Sequence, residues 1–259
     1  MKISFIVPAY NEQLVIERCL WSIVSEVNRF TEQGSWMFPI NYSPLVDYEI
    51  IVVDNNSSDH TVFLVEEYFK KYPVRVITCN DGQGVTHARQ AGYKEAKYNI
   101  QSYIDADNAL PFGWLDYVNS ELEYGNPNVV ALSGSLKYYG DGKFERKGSE
   151  YFYKVTKVLH TVFPTIQGGN FVVRKEALDK IGGHSTNIEF WGEDTDLAKR
   201  LSSIGKIKLI PEMWAYSSSR RFEEQGKANT LFHYALNYFS IHLFNKPLTK
   251  KYHNYRSQD

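Results

Sequence analysis

Residues 100–107 read Ile100-Gln101-Ser102-Tyr103-Ile104-Asp105-Ala106-Asp107. Ile100–Ile104 reads as a short buried strand, and it runs directly into two carboxylates spaced i, i+2. The same arrangement occurs twice upstream. Ile3–Val7, rich in β-branched residues, runs into Pro8-Ala9-Tyr10-Asn11-Glu12, and Tyr48–Val53 runs into Asp54-Asn55-Asn56-Ser57-Ser58-Asp59. Val74–Thr78 reads as one more strand. Between these runs, apolar residues recur at helical spacing over Leu14–Val27, and helices are expected at about Thr61–Lys71 and Thr86–Lys97. Buried strands alternating with helices predict an α/β fold with a largely parallel sheet. In such sheets ligands bind beyond the carboxyl ends of the strands, which is where the three polar clusters fall.

The second half is less regular. Helices are expected over Phe112–Tyr124, Tyr151–Val162, Ala177–Ile181 and Glu193–Ile204. Strands are expected over Val129–Leu136, from Ile166 through Gly168-Gly169-Asn170 to Val173, and as two short pieces, Lys208–Pro211 and Trp214–Tyr216. Asn28–Asp47, with Gly34, Pro39 and Pro44, reads as a long connection. No repeat or linker divides the chain. The expectation is a single domain, 1–259, with halves at about 1–107 and 108–225 and a C-terminal segment 226–259.

Composition narrows the function. With 29 basic and 30 acidic residues, net charge −1, the electrostatic case for nucleic-acid binding is absent. Cys19 and Cys79 cannot build a disulfide framework. The start of the chain lacks the apolar length of a signal peptide, and no run reaches the roughly 18 apolar residues of a membrane span, so a cytoplasmic location is expected. Aromatic residues make up 15% of the chain. The densest group, Phe232, Tyr234, Tyr238, Phe239 and Phe244, lies on the expected helix Asn229–Phe244, ahead of Lys246, Lys250, Lys251 and Arg256. Such a helix with a basic tail either packs on the core or on a homodimer partner, or lies on the inner face of an anionic membrane as a peripheral contact.

Four clusters carry chemistry. Asp105 and Asp107 are either a solvated acidic turn or two ligands converging on a hard cation, Mg²⁺ or Mn²⁺, bound with substrate phosphates. Asp54 is placed to accept hydrogen bonds from a base or ribose, with Asp59 assigned to helix capping. Asp81-Gly82-Gln83-Gly84 precedes a helix containing Arg89, a weak phosphate signal without the full glycine fingerprint. Trp191-Gly192-Glu193-Asp194 opens a helix, where acids either complement the dipole or supply a general base.

Taken in order, these clusters, together with Ala88-Arg89, Gly92, Gly168-Gly169-Asn170, Ile181-Gly182-Gly183 and Gly192-Glu193-Asp194-Thr195-Asp196-Leu197, resemble family 2 glycosyltransferases. The resemblance covers about Ile3 to Arg200. It implies a Rossmann-like, mostly parallel sheet of glycosyltransferase-A type in three layers, α/β/α. It also implies inverting transfer from a nucleotide-diphosphate sugar, UDP or GDP type, to a sugar or lipid-linked acceptor, in cell-surface polysaccharide or glycolipid synthesis.

Residue by residue, the resemblance gives Pro8, Ala9, Tyr10, Glu12 and Asp54 to the nucleotide. It puts Arg89 near base or phosphates, Asp105 at ribose or donor sugar, and Asp107 on the cation. Gly168, Gly169, Asn170 and Trp191 then line the donor or acceptor sugar, Asp194 is the catalytic base, and Glu193 sits beside it. Two departures stand out. The stretch Trp214–Ser219 lacks the His that many relatives use to complete the metal site, and the Gln-x-x-Arg-Trp motif of processive members is missing. Near its place stand Arg220 and Arg221, which are either diphosphate ligands or surface arginines. Competing readings are a nucleotide-sugar-binding partner without turnover, a polyprenyl-phosphate glycosyltransferase, and a nucleotidyltransferase. The last is disfavoured because Pro8–Glu12 offers neither glycine nor cation.

Overall fold

The computed structural model describes residues 1–37, 46–138, 156–188, 192–220, 227–244 and 246–248. Trp191, Arg221, most of the basic tail and the middle of the 28–47 connection fall outside them.

Seven strands form one sheet: β1 Lys2–Ala9, β2 Asp47–Asp54, β3 Val74–Thr78, β4 Ile100–Ile104, β5 Val129–Tyr138, β6 Asn170–Arg174 and β7 Lys206–Ser217. Their order is β3-β2-β1-β4-β6-β5-β7. Only β6 runs against its neighbours β4 and β5; the other pairings are parallel. Helices are α1 Ile16–Gln33, α2 Thr61–Tyr68, α3 Val85–Glu95, α4 Trp114–Val118 with a π-helical turn to Glu123, α5 Lys175–Ile181, α6 Glu193–Ser202 and α7 Lys227–Phe244.

Alternation of side chains along each strand divides the core in two. Ile3, Phe5, Val7, Ile50 and Val52 face α1, α2 and α4, through Leu20, Ile23, Phe30, Phe69 and Trp114. Ile6, Ile51, Val53, Tyr103 and Phe171 face α3, α5 and α6, through Ala88, Leu178, Leu197 and Leu201. This is the expected three-layer α/β/α arrangement. Both faces of the central strands are covered, which is why they read as unbroken apolar runs.

Three departures from the sequence expectation have a physical reason in the packing. Helix α1 continues to Gln33, because Phe30 extends the apolar face and Arg29 finds buried partners; it stops at Gly34, with φ of 74°. The two short strands expected at 208–216 are one strand, β7, whose pairing with β5 shifts register between Ser133 and Ser135. Pro211 falls in that break, on an edge strand, where a missing N–H is tolerated. The expected helix 112–124 becomes α4 followed by the π turn. Helix α7 packs beside α6, with Ile241 buried and Lys199 Nζ donating to the carbonyls of Ile241 and His242, while Phe239, Leu243 and Phe244 are exposed.

A buried ionic cluster fixes α1 against α4. Arg29 bonds Glu26 Oε1 at 2.6 Å and Asp116 Oδ2 at 2.6 Å, Glu26 also accepts from Gly113 and Leu115 N–H, and Asp116 accepts from Trp36 N–H. Removing one partner from such a cluster typically costs about 3–5 kcal/mol, since the others remain buried. Arg29→Met is therefore expected to lower the melting temperature by about 10 °C. A change under about 2 °C, read by circular dichroism, would mean that the two carboxylates are not held by this cation.

Candidate functional site

The parallel strands bring the ends of β1, β2 and β4 to one rim of the sheet. Because β6 runs the other way, its start lies on that same rim, and Ile104 pairs with Asn170. Asp105–Asp107 and Gly168–Gly169 thus meet although they are 61 or more residues apart in sequence, as in the Asn108 to Gly169 bond. Asp105 N–H bonds Gly169 C=O at 3.2 Å, and Asn108 Nδ2 bonds the same oxygen at 2.7 Å. Gly169 has φ of +80°, and a Cβ there would stand 2.3 Å from Asp105 Oδ2, so only glycine fits against that carboxylate.

The two loops assigned to nucleotide recognition are cross-braced. Asn11 N–H bonds Ser57 Oγ at 3.0 Å and Asn11 Oδ1 accepts from Ser58 N–H at 2.8 Å. Glu12 N–H bonds Thr61 Oγ1, and Gln13 N–H bonds Asp59 Oδ2. Asp59 also accepts from Thr61 N–H, but the N-cap position of α2 is His60, so Asp59 braces the turn before the helix rather than capping it as expected. Asp54 is buried and accepts from Ser57 N–H, holding the turn. Ala9 is buried and its carbonyl accepts from Asn55 N–H, so it contributes backbone; Pro8 and Tyr10 are half-buried. Asn55 ties this rim to the loop before α3, bonding Cys79 O, Gly82 O and Gly84 N–H. Its role was not legible in sequence, since nothing in an Asn-Asn-Ser run says which amide turns inward.

Arg89 lies inside the second half of the site. Its guanidinium bonds Asp105 Oδ1 at 3.0 Å, stands 3.5 Å from Glu193 Oε1, and rests over the Phe171 ring at 5.5 Å. The Arg89 side chain is only 3% exposed. Burial opposes its charge, but Asp105 and Glu193 more than offset that and hold its pKa up. His184 packs behind it on Tyr103 and Phe171, and burial together with Arg89 and Arg200 keeps that imidazole neutral, its pKa well below the ordinary value.

Asp194, at the start of α6, is half-buried; it accepts from Thr195 N–H at 2.8 Å and Gly168 N–H at 3.4 Å. Burial, and then the neighbouring Glu193 carboxylate, push its pKa up to about 7, against the pull of Arg89 and the two N–H groups. Asn170 sits below the site rather than in it. It is fully buried, and its amide is taken up by Trp114 Nε1, Ser135 O and Met213 O.

Beyond the ends of β1 and β4, Arg220 Nη2 bonds Glu12 Oε2 at 2.8 Å and approaches Asp107 Oδ2 at 3.5 Å. Arg18 bonds Asp107 C=O at 3.1 Å. Among the described residues no group of three or more His, Cys, Asp or Glu could alone enclose a metal. The donor set nevertheless fits a hard divalent cation, because Mg²⁺ and similar ions commonly take one or two carboxylates and complete their shell with water and phosphates. Asp107, with Asp105 close by, supplies such oxygens.

The sequence model of the family described as Glycosyl transferase family 2 matches residues 4–182, and that described as the N-terminal domain of galactosyltransferase matches residues 155–223. The chain is 28% identical over 233 residues to the probable glycosyltransferase YdaM of Bacillus subtilis, covering 81% of this chain and 49% of that protein. It is 27% identical over 246 residues to a dolichol-phosphate mannosyltransferase of Pyrococcus furiosus, covering 90% of this chain and 62% of that protein. The chain thus spans about half to three-fifths of these relatives. Its fold is similar to that of the mannosyltransferase PcManGT of Pyrobaculum calidifontis in complex with GDP-Man and Mn²⁺, with TM-score 0.71, 20% identity and coverage of 93% of this chain and 64% of that one. It is also similar to glucosyl-3-phosphoglycerate synthase of Mycobacterium tuberculosis with Mn²⁺, UDP-glucose and phosphoglyceric acid, with TM-score 0.61, 17% identity and coverage of 92% and 79%.

A carboxyl whose pKa the fold raises stabilises the protein below its unfolded value of 3.8, and that contribution is lost as pH rises through about 7. Asp194→Asn, which cannot ionise, should gain on the wild type across this window. It should melt several degrees higher at pH 8, with the difference vanishing near pH 4. A difference independent of pH in thermal melts would contradict the burial of this carboxyl.

Proposed function

This chain belongs to glycosyl transferase family 2, and we propose that it transfers a sugar from a nucleotide-diphosphate sugar of the UDP or GDP type to an acceptor hydroxyl, with inversion. The observation that carries this reading is Asp194, a carboxyl with pKa near 7 beside Glu193 and Gly168 on the ligand-binding rim of the sheet. A base titrating near the working pH is suited to take a proton and to release it again. Asp194 accepts the acceptor hydroxyl proton as that oxygen bonds to the anomeric carbon and the bond from this carbon to the diphosphate breaks. The nucleoside diphosphate leaves with the electron pair, and one displacement inverts the centre.

Glu193 holds sugar hydroxyls. Arg89 fixes Glu193 and Asp105 and keeps Asp194 from rising further. Asp54, Glu12 and Tyr10 line the nucleotide, and Gly168 and Gly169 let the sugar approach the backbone. Asp107 would hold Mg²⁺ or Mn²⁺, which when bound supplies positive charge against the diphosphate, while Asp105 faces the ribose or donor sugar. The complexes of the neighbours with GDP-Man or UDP-glucose and Mn²⁺ support this donor class.

Asp194→Asn should keep the thermal shift given by UDP or GDP with Mn²⁺ and lose about 10²–10⁴-fold in transfer. In the wild type, kcat/KM should fall as pH drops through about 7 and Asp194 takes up its proton. Unchanged turnover in the variant, measured as nucleotide release across a panel of nucleotide sugars, would sink the assignment.

A lipid-linked or polyprenyl-phosphate acceptor is the favoured acceptor class, reached at the inner face of a membrane. Exposed Phe239, Leu243 and Phe244 on α7, the helix packed against the one bearing Asp194, support it. Among the described residues no helix is long and apolar enough to cross a membrane, so this contact is peripheral. The full chain should co-sediment with anionic vesicles and lose this with Leu243→Asp plus Phe244→Asp. Equal sedimentation of both proteins would remove α7 from the membrane contact.

A further inference from the structure

Arg220 reaches from the segment after β7 to carboxylates in the first half of the chain, Glu12 at 2.8 Å and Asp107 at 3.5 Å. Glu12 cannot follow it. Its side chain is 5% exposed, its N–H bonds Thr61, and its carbonyl accepts from Val15 and Ile16 at the start of α1. Asp107 is held through its own carbonyl by Arg18. The Arg220 side chain, 37% exposed, is the least confined of the three. A cation of the chain itself therefore already stands at the carboxylate that the proposed function gives to Mg²⁺ or Mn²⁺.

Like charges sharing one carboxylate repel at these distances, and the surroundings are partly desolvated. A dication arriving alone must move Arg220 off Asp107, leaving it on Glu12 with no second partner. A nucleoside diphosphate changes the balance twice. Its oxygens add ligands to the cation, and they give the guanidinium a bidentate partner of its own.

We propose that Arg220 is a positioning residue that makes cation binding conditional on the donor, holding Asp107 and Glu12 in the free chain and releasing Asp107 to the cation when a nucleoside diphosphate arrives to receive the guanidinium. The inference rests on the reading of Asp107 as a cation ligand. Coupling of this kind is reciprocal, so the nucleotide binds more tightly with the cation present, by the same factor.

Free Mn²⁺ followed by electron paramagnetic resonance, titrated into the full chain with and without UDP or GDP, tests this without turnover. The wild type should bind Mn²⁺ alone weakly and gain affinity with nucleotide. Arg220→Gln should bind Mn²⁺ alone about tenfold more tightly, and its gain on adding nucleotide should shrink by a similar factor. Arg220→Lys, which keeps the charge, should stay within about twofold of the wild type. The proposal is overturned if Arg220→Gln, melting like the wild type, binds Mn²⁺ alone no more tightly, or if Arg220→Lys tightens as much as Arg220→Gln. A wild type that gives no thermal shift with UDP or GDP plus Mn²⁺ would instead remove the donor class, while the Mn²⁺-alone comparison still decides the role of Arg220.

Discussion

The site is organised around one buried cation. Arg89 stands on α3, and its charge is met by Asp105 from the end of β4 and by Glu193 from the start of α6, with the Phe171 ring of β6 beneath it. A guanidinium at this depth is tolerated only while those carboxylates stay close. The reverse holds too: Asp105, Glu193 and Asp194 can gather at one rim because a cation sits among them. The pairing therefore sets the position of α6 against the strand ends, and with it the place of the carboxyl that titrates near neutrality.

The order of elements was legible because both faces of the central strands are covered. Residues such as Ile50 to Val53 read as continuous apolar runs, and the polar clusters after them mark the ligand rim. What the sequence could not carry was pairing across distance. Ser57, Ser58, Asn11 and Asn55 are all short polar side chains, and only the fold says which meet. Arg89 carries the same lesson. The resemblance puts it near base or phosphates, and what the sequence does not show is that its guanidinium is held by Asp105 and Glu193. The family resemblance puts Asn170 beside the sugar, yet its amide braces three strands and Trp114 from beneath. Helix α1 outran its expected end because Arg29, a charged residue, is buried through ion pairing, which hydrophobic periodicity does not register.

Arg89 and Arg220 differ in freedom, and the difference matches their partners. The Arg89 side chain is 3% exposed and belongs to the scaffold; that of Arg220 is 37% exposed and arises just after the final strand. A confined cation shifts the acidity of a neighbour permanently. One with room to move can instead exchange partners, so the positive charge beside Glu12 and Asp107 is not fixed in place.

The rims of the sheet carry a separate consequence. On one side β3 is five residues long, and its Arg75 is engaged with Glu49 and Glu95. On the other, the pairing of β7 breaks between Leu209 and Trp214, around Pro211. Short, charged or broken edges are poor templates for a further strand. Among the described residues, neither edge is therefore a good template for a continuous sheet between two copies of this chain.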